Sequence, residues 1–148
     1  MQVPSWVLTA FQQPLEYRSS ALPELGPSDV RVRVSGCGVC HTDLGYLFDG
    51  VPMRGPLPRV LGHEISGVVE ATGVDAAGWL GKAVIVAAVV PCGECQACQQ
   101  QRSGICKNQV FVGNDIPGGF SESVVVPARG DLSTTCIAWA MDAGVAVI

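Results

Sequence analysis

The chain has 148 residues, of which 48% are hydrophobic, and its 13 acidic and 9 basic residues give a net charge of −4. This length suits one domain with a single core. An acidic chain lacks the basic surface that nucleic acid or an anionic membrane attracts, so we expect neither as a partner. The longest apolar run, residues 83–90, is far shorter than the ~20 residues of a membrane span.

The predicted elements are mostly short strands. Apolar and β-branched runs alternate with 18 Gly and 10 Pro, a pattern typical of a β-barrel or a β-sandwich. In chain order, the predicted strands cover residues 6–9, 30–34, 65–70, 83–90 and 123–126. Gly and Pro predict loops over residues 23–27, 51–58 and 114–119.

One helix is predicted over residues 42–48. Thr42 can cap its first turn, Asp43 complements the positive end of its dipole, and Gly50 ends it. The sequence therefore predicts a mainly β fold with short helical connections.

The last 18 residues, 131–148, differ from the rest of the chain. They end in small apolar residues, 144–148, that resemble a buried strand. A strand that ends a chain without a partner leaves an unpaired edge. We therefore expect residues 1–130 to form the domain and residues 131–148 to be a divergent or truncated tail.

Four of the seven cysteines are crowded into a lobe at residues 91–110: Cys92, Cys95, Cys98 and Cys106. Their spacing allows four thiolates to surround one ion, and Zn²⁺ accepts that tetrahedral set. An iron–sulfur cluster and four unligated cysteines are the alternatives. A zinc site with four protein ligands has no open position and is structural. Metal-binding thiols indicate a reducing compartment, so we expect a cytoplasmic protein.

A second group of metal-binding side chains is split along the chain. Cys40 and His63 are both zinc ligands by type, and Asp43 and Glu64 could support them from outside the metal shell. Taken singly, His63 could be a core histidine and Cys40 a small buried thiol. A catalytic zinc needs three protein ligands, and the residues alone offer no convincing third.

Together these residues resemble the zinc-containing medium-chain alcohol dehydrogenases. Segment 62–64 with Gly67, Gly73 and Ala76 has the spacing of the family's zinc signature, and segment 38–43 matches its first ligand segment. The four-cysteine lobe matches the family's structural zinc lobe. The resemblance covers residues 6–130 and implies a GroES-like β-barrel, the N-terminal catalytic domain of the family.

The resemblance also implies roles for individual residues. Cys40 and His63 would bind a catalytic zinc, and Cys92, Cys95, Cys98 and Cys106 a structural one. Thr42 would relay the hydroxyl proton, and His41 would contact the pyrophosphate of NAD. Asp43 and Glu64 would support the catalytic zinc, so that His41, Thr42 and Glu64 are the expected catalytic residues.

The sequence also departs from the family. No Gly-x-Gly-x-x-Gly follows a predicted strand, so the Rossmann domain that binds the dinucleotide is expected to be absent from these residues. The family's third catalytic zinc ligand comes from beyond the matching region. Segment 144–148 weakly resembles the first strand of such a domain, and Cys136 is a candidate substitute ligand.

Within the family, segments 40–46, 79–86, 113–116 and 125–130 resemble a branch that oxidises an alcohol carried on a CoA thioester. The expectation is therefore a fragment of a zinc- and NAD-dependent dehydrogenase acting on a small-molecule alcohol and unlikely to turn over alone. The alternatives are another primary or secondary alcohol as substrate, or a stand-alone zinc-binding or interaction module. Exposed apolar surface would favour a homo-oligomer.

Overall fold

A computed structural model of the chain describes residues 1–128 and the backbone of residues 137–139. Within them, antiparallel strands form sheets of five, three and two strands, so the predicted β fold is confirmed. The strands are β1 Gln2–Leu8, β2 Glu16–Ala21, β3 Asp29–Gly38, β4 Arg59–Val60, β5 Glu64–Thr72, β6 Ala83–Val86, β7 Val89–Val90, β8 Val110–Phe111, β9 Ser123–Pro127 and β10 Ile137–Trp139. The helices are α1 His41–Phe48 and α2 Gln96–Gln99, and 3-10 turns cover Val74–Trp79 and Ser103–Ile105.

The five-stranded sheet, in the order β10-β6-β5-β3-β9, carries the main core. Alternation along β3 turns Val30 and Val32 inward, where both are fully buried, while the arginines between and beside them face outward. Ile65 and Val69 of β5, together with valines of β6 and β9, belong to the same cluster: Val84, Val86, Val124 and Val126. Residues 30–34, 65–70 and 123–126 are therefore strands, as predicted.

The three-stranded sheet, in the order β2-β1-β4, packs against α1. A second apolar cluster joins Leu8 of β1, Tyr46 of α1 and Leu61, which follows β4. Because Leu61 is fully buried, the segment that leads into His63 is fixed by packing as well as by backbone hydrogen bonds.

Two strand predictions need correction. Residues 83–90 are not one strand, because the chain leaves the large sheet after β6 and enters a separate ribbon in which β7 pairs with β8. Strand β2 was not predicted at all. Almost all of its side chains are exposed, and its sequence has no apolar alternation that would predict a strand. Antiparallel pairing with β1 holds it in place.

The predicted helix is present, but the prediction that Thr42 caps it is wrong. Helix α1 begins at His41 with Cys40 at the N-cap position, and Thr42 lies exposed in the first turn. The Asp43 carboxylate provides a hydrogen-bond acceptor at the start of the helix, because it accepts the Cys40 N–H at 3.1 Å. Gly50 follows the helix with a positive φ of 66°, as a helix stop requires.

The expected tail lies almost entirely outside the described residues, with only the backbone of β10 placed beside β6. Cys136 and segment 144–148 are among the residues not described. Within the described part of the chain, no helix combines the length and the apolarity needed to span a membrane.

Asn114 provides a test of how the loops around α1 are fixed. It is buried, its Oδ1 accepts the Arg54 N–H at 2.8 Å, and its Nδ2 donates to the Tyr46 hydroxyl oxygen at 2.6 Å. We expect Asn114→Ala to lower the free energy of unfolding by about 1–3 kcal/mol, because buried polar partners lose their hydrogen bonds. Urea denaturation measures this loss, and Asn108→Ala at an exposed site should stay within about 0.5 kcal/mol of the parent chain.

Candidate metal centres

Four cysteine sulfurs converge in the lobe between β7 and β8, at Cys92, Cys95, Cys98 and Cys106. The Sγ–Sγ distances are 3.5 Å for Cys92–Cys106 and for Cys95–Cys98, 3.8 Å for Cys95–Cys106 and 4.0 Å for Cys92–Cys98. The predicted cluster is therefore assembled by the fold.

These distances fit a single tetrahedral ion. Four sulfurs bound at ~2.3 Å to one Zn²⁺ lie about 3.8 Å from each other, close to the separations observed here. An iron–sulfur cluster would place several iron and sulfide atoms between its cysteine ligands. Four sulfurs in mutual contact leave no space for them, so the donor set fits zinc.

The electrostatics of the lobe also suit a divalent cation. Backbone N–H groups of Cys95 and Glu94 point at the Cys92 sulfur and lower the pKa of this thiol to about 6. Burial and contact with the other thiols raise the pKa of Cys98 to about 12. Of these two thiols Cys92 ionises the more readily, and a bound divalent cation would favour loss of the Cys98 proton as well.

The second group of donors lies where β3, α1 and β5 meet. The Sγ of Cys40, at the start of α1, is 3.1 Å from Nε2 of His63, and a carboxylate oxygen of Glu64 lies within 4.8 Å of both ligand atoms. Zinc bonds of ~2.3 Å to sulfur and ~2.1 Å to nitrogen place such a tetrahedral pair about 3.6 Å apart. A small outward shift of either side chain thus accommodates an ion.

Glu64 is a further candidate ligand. The sequence predicts for it only a supporting and catalytic role, whereas the structure places its carboxylate among the metal donors. Consecutive residues in a strand point to opposite faces, which argues against His63 and Glu64 sharing one ion. However, β5 begins at Glu64, and His63 precedes it beside Gly62, whose φ is 91°. This turn brings the two neighbouring side chains to the same site.

Gly62 also has to be glycine for steric reasons. A Cβ on its buried backbone would lie 2.5 Å from the Phe120 ring and 2.7 Å from the Cys37 sulfur. Burial raises the pKa of Cys37 itself to about 12, so that thiol stays neutral, and it belongs to neither group of metal donors.

Asp43 ties the two ligand segments together. Asp43 is only 3% exposed, and its Oδ2 accepts the Cys40 N–H and its Oδ1 the Gly62 N–H, each at 3.1 Å. Its Oδ1 is also 3.7 Å from Nδ1 of His63. The imidazole thus presents Nε2 to Cys40 while its other nitrogen faces a carboxylate, as is common for metal-binding histidines.

The centre is open on one side. His63 and Glu64 line a cleft of about 290 Å³ together with residues of β5, of β6 and of the segment after β6: Ile65, Ser66, Ile85, Val86 and Ala88. The Phe111 ring, at the end of β8, packs against the imidazole with centroids 5.1 Å apart. Because β8 closes the cysteine lobe, one strand connects the two centres.

His41 and Thr42 lie in the exposed first turn of α1, directly after Cys40. Their sequence positions place them beside the donor group, and their expected roles stay predictions.

Comparison with known proteins shows which family the chain belongs to. The family described as "Alcohol dehydrogenase GroES-like domain" matches residues 26–135. The chain belongs to this family. Its GroES-like fold is the one expected from the sequence, and the family is one of zinc-dependent oxidoreductases.

Individual relatives of this GroES-like chain are dehydrogenases. It is 40% identical over 109 residues to 2-dehydro-3-deoxy-L-galactonate 5-dehydrogenase of Pseudoalteromonas atlantica, covering 72% of this chain and 31% of the relative. An alcohol dehydrogenase of E. coli CFT073, solved with the cofactor NADH, is 34% identical with a TM-score of 0.72, covering 86% of this chain and 36% of that one. A thermostable alcohol dehydrogenase from Pyrobaculum aerophilum, solved with cobalt and zinc, is 28% identical with a TM-score of 0.77. The match covers 89% of this chain and 43% of that one.

The GroES-like chain therefore spans about a third of the length of the curated relative and somewhat more of the two solved enzymes.

Zinc content tests the two centres. We expect two zinc ions per chain by elemental analysis, falling to one in Cys98→Ser, because three sulfurs hold the lobe ion less well. Removal of metal with a chelator should lower the melting temperature, since binding of metal to the folded lobe stabilises it. Cys37→Ser, which alters a thiol outside both donor groups, should keep two ions; one ion in the parent chain would contradict the two-centre arrangement.

Asp43→Asn tests the carboxylate that joins the ligand segments. The amide nitrogen of Asn cannot accept a hydrogen bond, so the N–H of Cys40 or Gly62 loses its acceptor at a cost of about 1–3 kcal/mol. We expect roughly 10–100-fold weaker zinc binding at the Cys40 centre, measured by chelator competition. Asp49→Asn, at the exposed end of α1, serves as the matched control, and equal losses in both variants would rule out this role for Asp43.

Proposed function

We propose that this chain forms the metal-binding catalytic domain, within residues 1–130, of a zinc-dependent alcohol dehydrogenase linked to a nicotinamide cofactor. The observation that carries the proposal is the convergence of donors from Cys40, His63 and Glu64 beside an open cleft. Catalytic zinc sites combine three protein ligands with one exchangeable position, whereas structural sites are closed by four ligands. The chain offers one donor set of each kind.

In this proposal the two sets have separate tasks. Cys92, Cys95, Cys98 and Cys106 hold a structural zinc that folds the lobe. Cys40, His63 and Glu64 hold the catalytic zinc, and Asp43 orients His63 through the contact with Nδ1. When bound, the catalytic zinc supplies the Lewis acidity that helps an alcohol lose its hydroxyl proton and then donate hydride.

The chain's own residues move the proton and position the reactants. Thr42 has a hydroxyl that can accept the alcohol proton and pass another on, as a relay requires. It lies two residues after Cys40, at the exposed start of α1. His41, next to it and also exposed, would contact the pyrophosphate of NAD. The E. coli relative solved with NADH supports a nicotinamide cofactor for the family.

The proposed substrate is a small-molecule alcohol, and the finer assignment is 6-hydroxycyclohex-1-ene-1-carbonyl-CoA, oxidised to the 6-oxo compound in anaerobic benzoyl-CoA degradation. Its support is the resemblance of segments 40–46, 79–86, 113–116 and 125–130 to that dehydrogenase. The cleft beside Glu64 has apolar walls from Ile85 and Val86, which suit a cyclohexenyl ring better than a polyol. A cytoplasmic location completes the proposal, because the donor thiols must stay reduced.

The test uses Co²⁺ bound at the Cys40 centre as a visible probe. Addition of 6-hydroxycyclohex-1-ene-1-carbonyl-CoA should shift the cobalt absorption of the parent chain and leave Cys40→Ala unchanged. 2-Dehydro-3-deoxy-L-galactonate is the competing alcohol, and a shift with that compound alone would reject the CoA thioester while retaining an alcohol dehydrogenase site. No shift with either would reject alcohol binding at this centre.

A parallel assay addresses hydride transfer. We expect the 148-residue chain to bind the alcohol without reducing NAD, because the nicotinamide must be held against the substrate carbon and the sequence has no Gly-rich dinucleotide motif. Absorbance of NADH measures the reaction, and formation of NADH by this chain alone would contradict the expectation.

A second candidate function is a stand-alone zinc-binding or interaction module that forms homo-oligomers. The observation in its favour is a groove of about 470 Å³ with exposed apolar walls, including Trp6, Tyr17 and Val39. Self-association would bury this surface. Light scattering over a range of concentrations distinguishes the two: a rising mass supports the module, and a constant monomer mass argues against it.

A further inference from the structure

We infer that Gly38 is a positioning residue for the metal centre, because the absence of a side chain at position 38 leaves the space that the Glu64 carboxylate needs to reach Cys40 and His63. This inference rests on the proposed function, since it concerns the same centre. It assigns a role to a residue that contacts no metal and has no functional group.

The first support is the pairing of the two residues. Gly38 and Glu64 are partners in the antiparallel ladder between β3 and β5, at the end nearest the metal donors. A Cβ placed on Gly38 would collide with Oε2 of Glu64 and would lie 3.2 Å from its Cβ. Facing Cβ atoms in antiparallel strands are usually about 4.5–5.5 Å apart. The Glu64 side chain therefore occupies the volume that any other residue at position 38 would fill.

The second support is the part of Glu64 that a Cβ at position 38 would contact. The closest contact is the far end of a side chain, and φ of Gly38 is outside the left-handed region, so alanine fits once the Glu64 Cβ moves by a few tenths of an ångström. Glu64 is exposed, and solvent gives its carboxylate an alternative position. Gly38→Ala should thus displace the carboxylate from the donor group while the strands stay paired.

The chain contains a matched control two residues away. Gly36 lies on the same face of β3 as Gly38, since side chains of alternate residues point the same way, and it pairs with Ser66. A Cβ on Gly36 would meet only the Ser66 hydroxyl oxygen, at 3.7 Å, which is an ordinary van der Waals contact. Gly36→Ala makes the same chemical change on the same strand without touching a metal donor.

The experiment measures metal affinity. Each chain is first loaded with one equivalent of Zn²⁺, which fills the four-cysteine lobe, and is then titrated with Co²⁺, whose visible absorption reports the Cys40 centre. We expect Gly38→Ala to weaken Co²⁺ binding roughly 10–100-fold, the size typical for loss of metal-ligand support, and Gly36→Ala to change it less than about twofold. Retention of the lobe zinc in both variants shows that each is folded.

A double-mutant cycle separates the Glu64 route from a direct effect on Cys40, which follows Gly38 by two residues. If Gly38 acts through Glu64, then Gly38→Ala should change Co²⁺ affinity less than about twofold in a chain that already carries Glu64→Ala. An equal loss in both backgrounds would overturn the inference, and so would a Gly38→Ala chain that binds Co²⁺ as tightly as Gly36→Ala. A parent chain that binds no Co²⁺ after the lobe is filled would instead overturn the proposed function, and the inference with it.

Discussion

The antiparallel pairing of β3 with β5 is the constraint on which the rest of the molecule depends. These strands form the centre of the five-stranded sheet, and their inward valines and isoleucine fill the main core. At one end of the same ladder, the chain runs from β3 into Cys40 and from His63 into β5. The pairing that forms the core therefore also brings together Cys40 and His63, two potential metal donors that are 23 residues apart in sequence.

Asp43 fixes the positions of the two segments, at Cys40 and at Gly62, that the β3–β5 ladder brings close. One buried carboxylate accepts the N–H that begins α1 and the N–H of Gly62, so the helix cap and the histidine turn share an acceptor. A buried carboxylate with two such hydrogen bonds is strongly held in place. The same group faces His63, and helix formation, loop geometry and ligand orientation consequently depend on each other.

The two donor sets differ because they are built differently. The cysteine lobe is local: four ligands lie within 15 residues, and short turns together with the β7–β8 ribbon close them around one point. The Cys40 centre is assembled from distant segments around a cleft, which leaves one side accessible. Closed local sites suit structural ions, and open sites assembled by tertiary contacts suit chemistry.

By itself the sequence determined the β class, the core strands from their apolar alternation, and the four-cysteine cluster, because each depends on local spacing. It also placed Cys40, His63, Asp43 and Glu64 in one group, from their donor chemistry and their resemblance to a family motif, with Glu64 as a supporting residue. Only the tertiary structure decided that Glu64 joins the donors, since its position depends on the turn at Gly62 and the empty site at Gly38 across the ladder. It likewise decided that β2 is a strand and that residues 83–90 divide between two sheets, because pairing with distant partners outweighs local pattern in both cases.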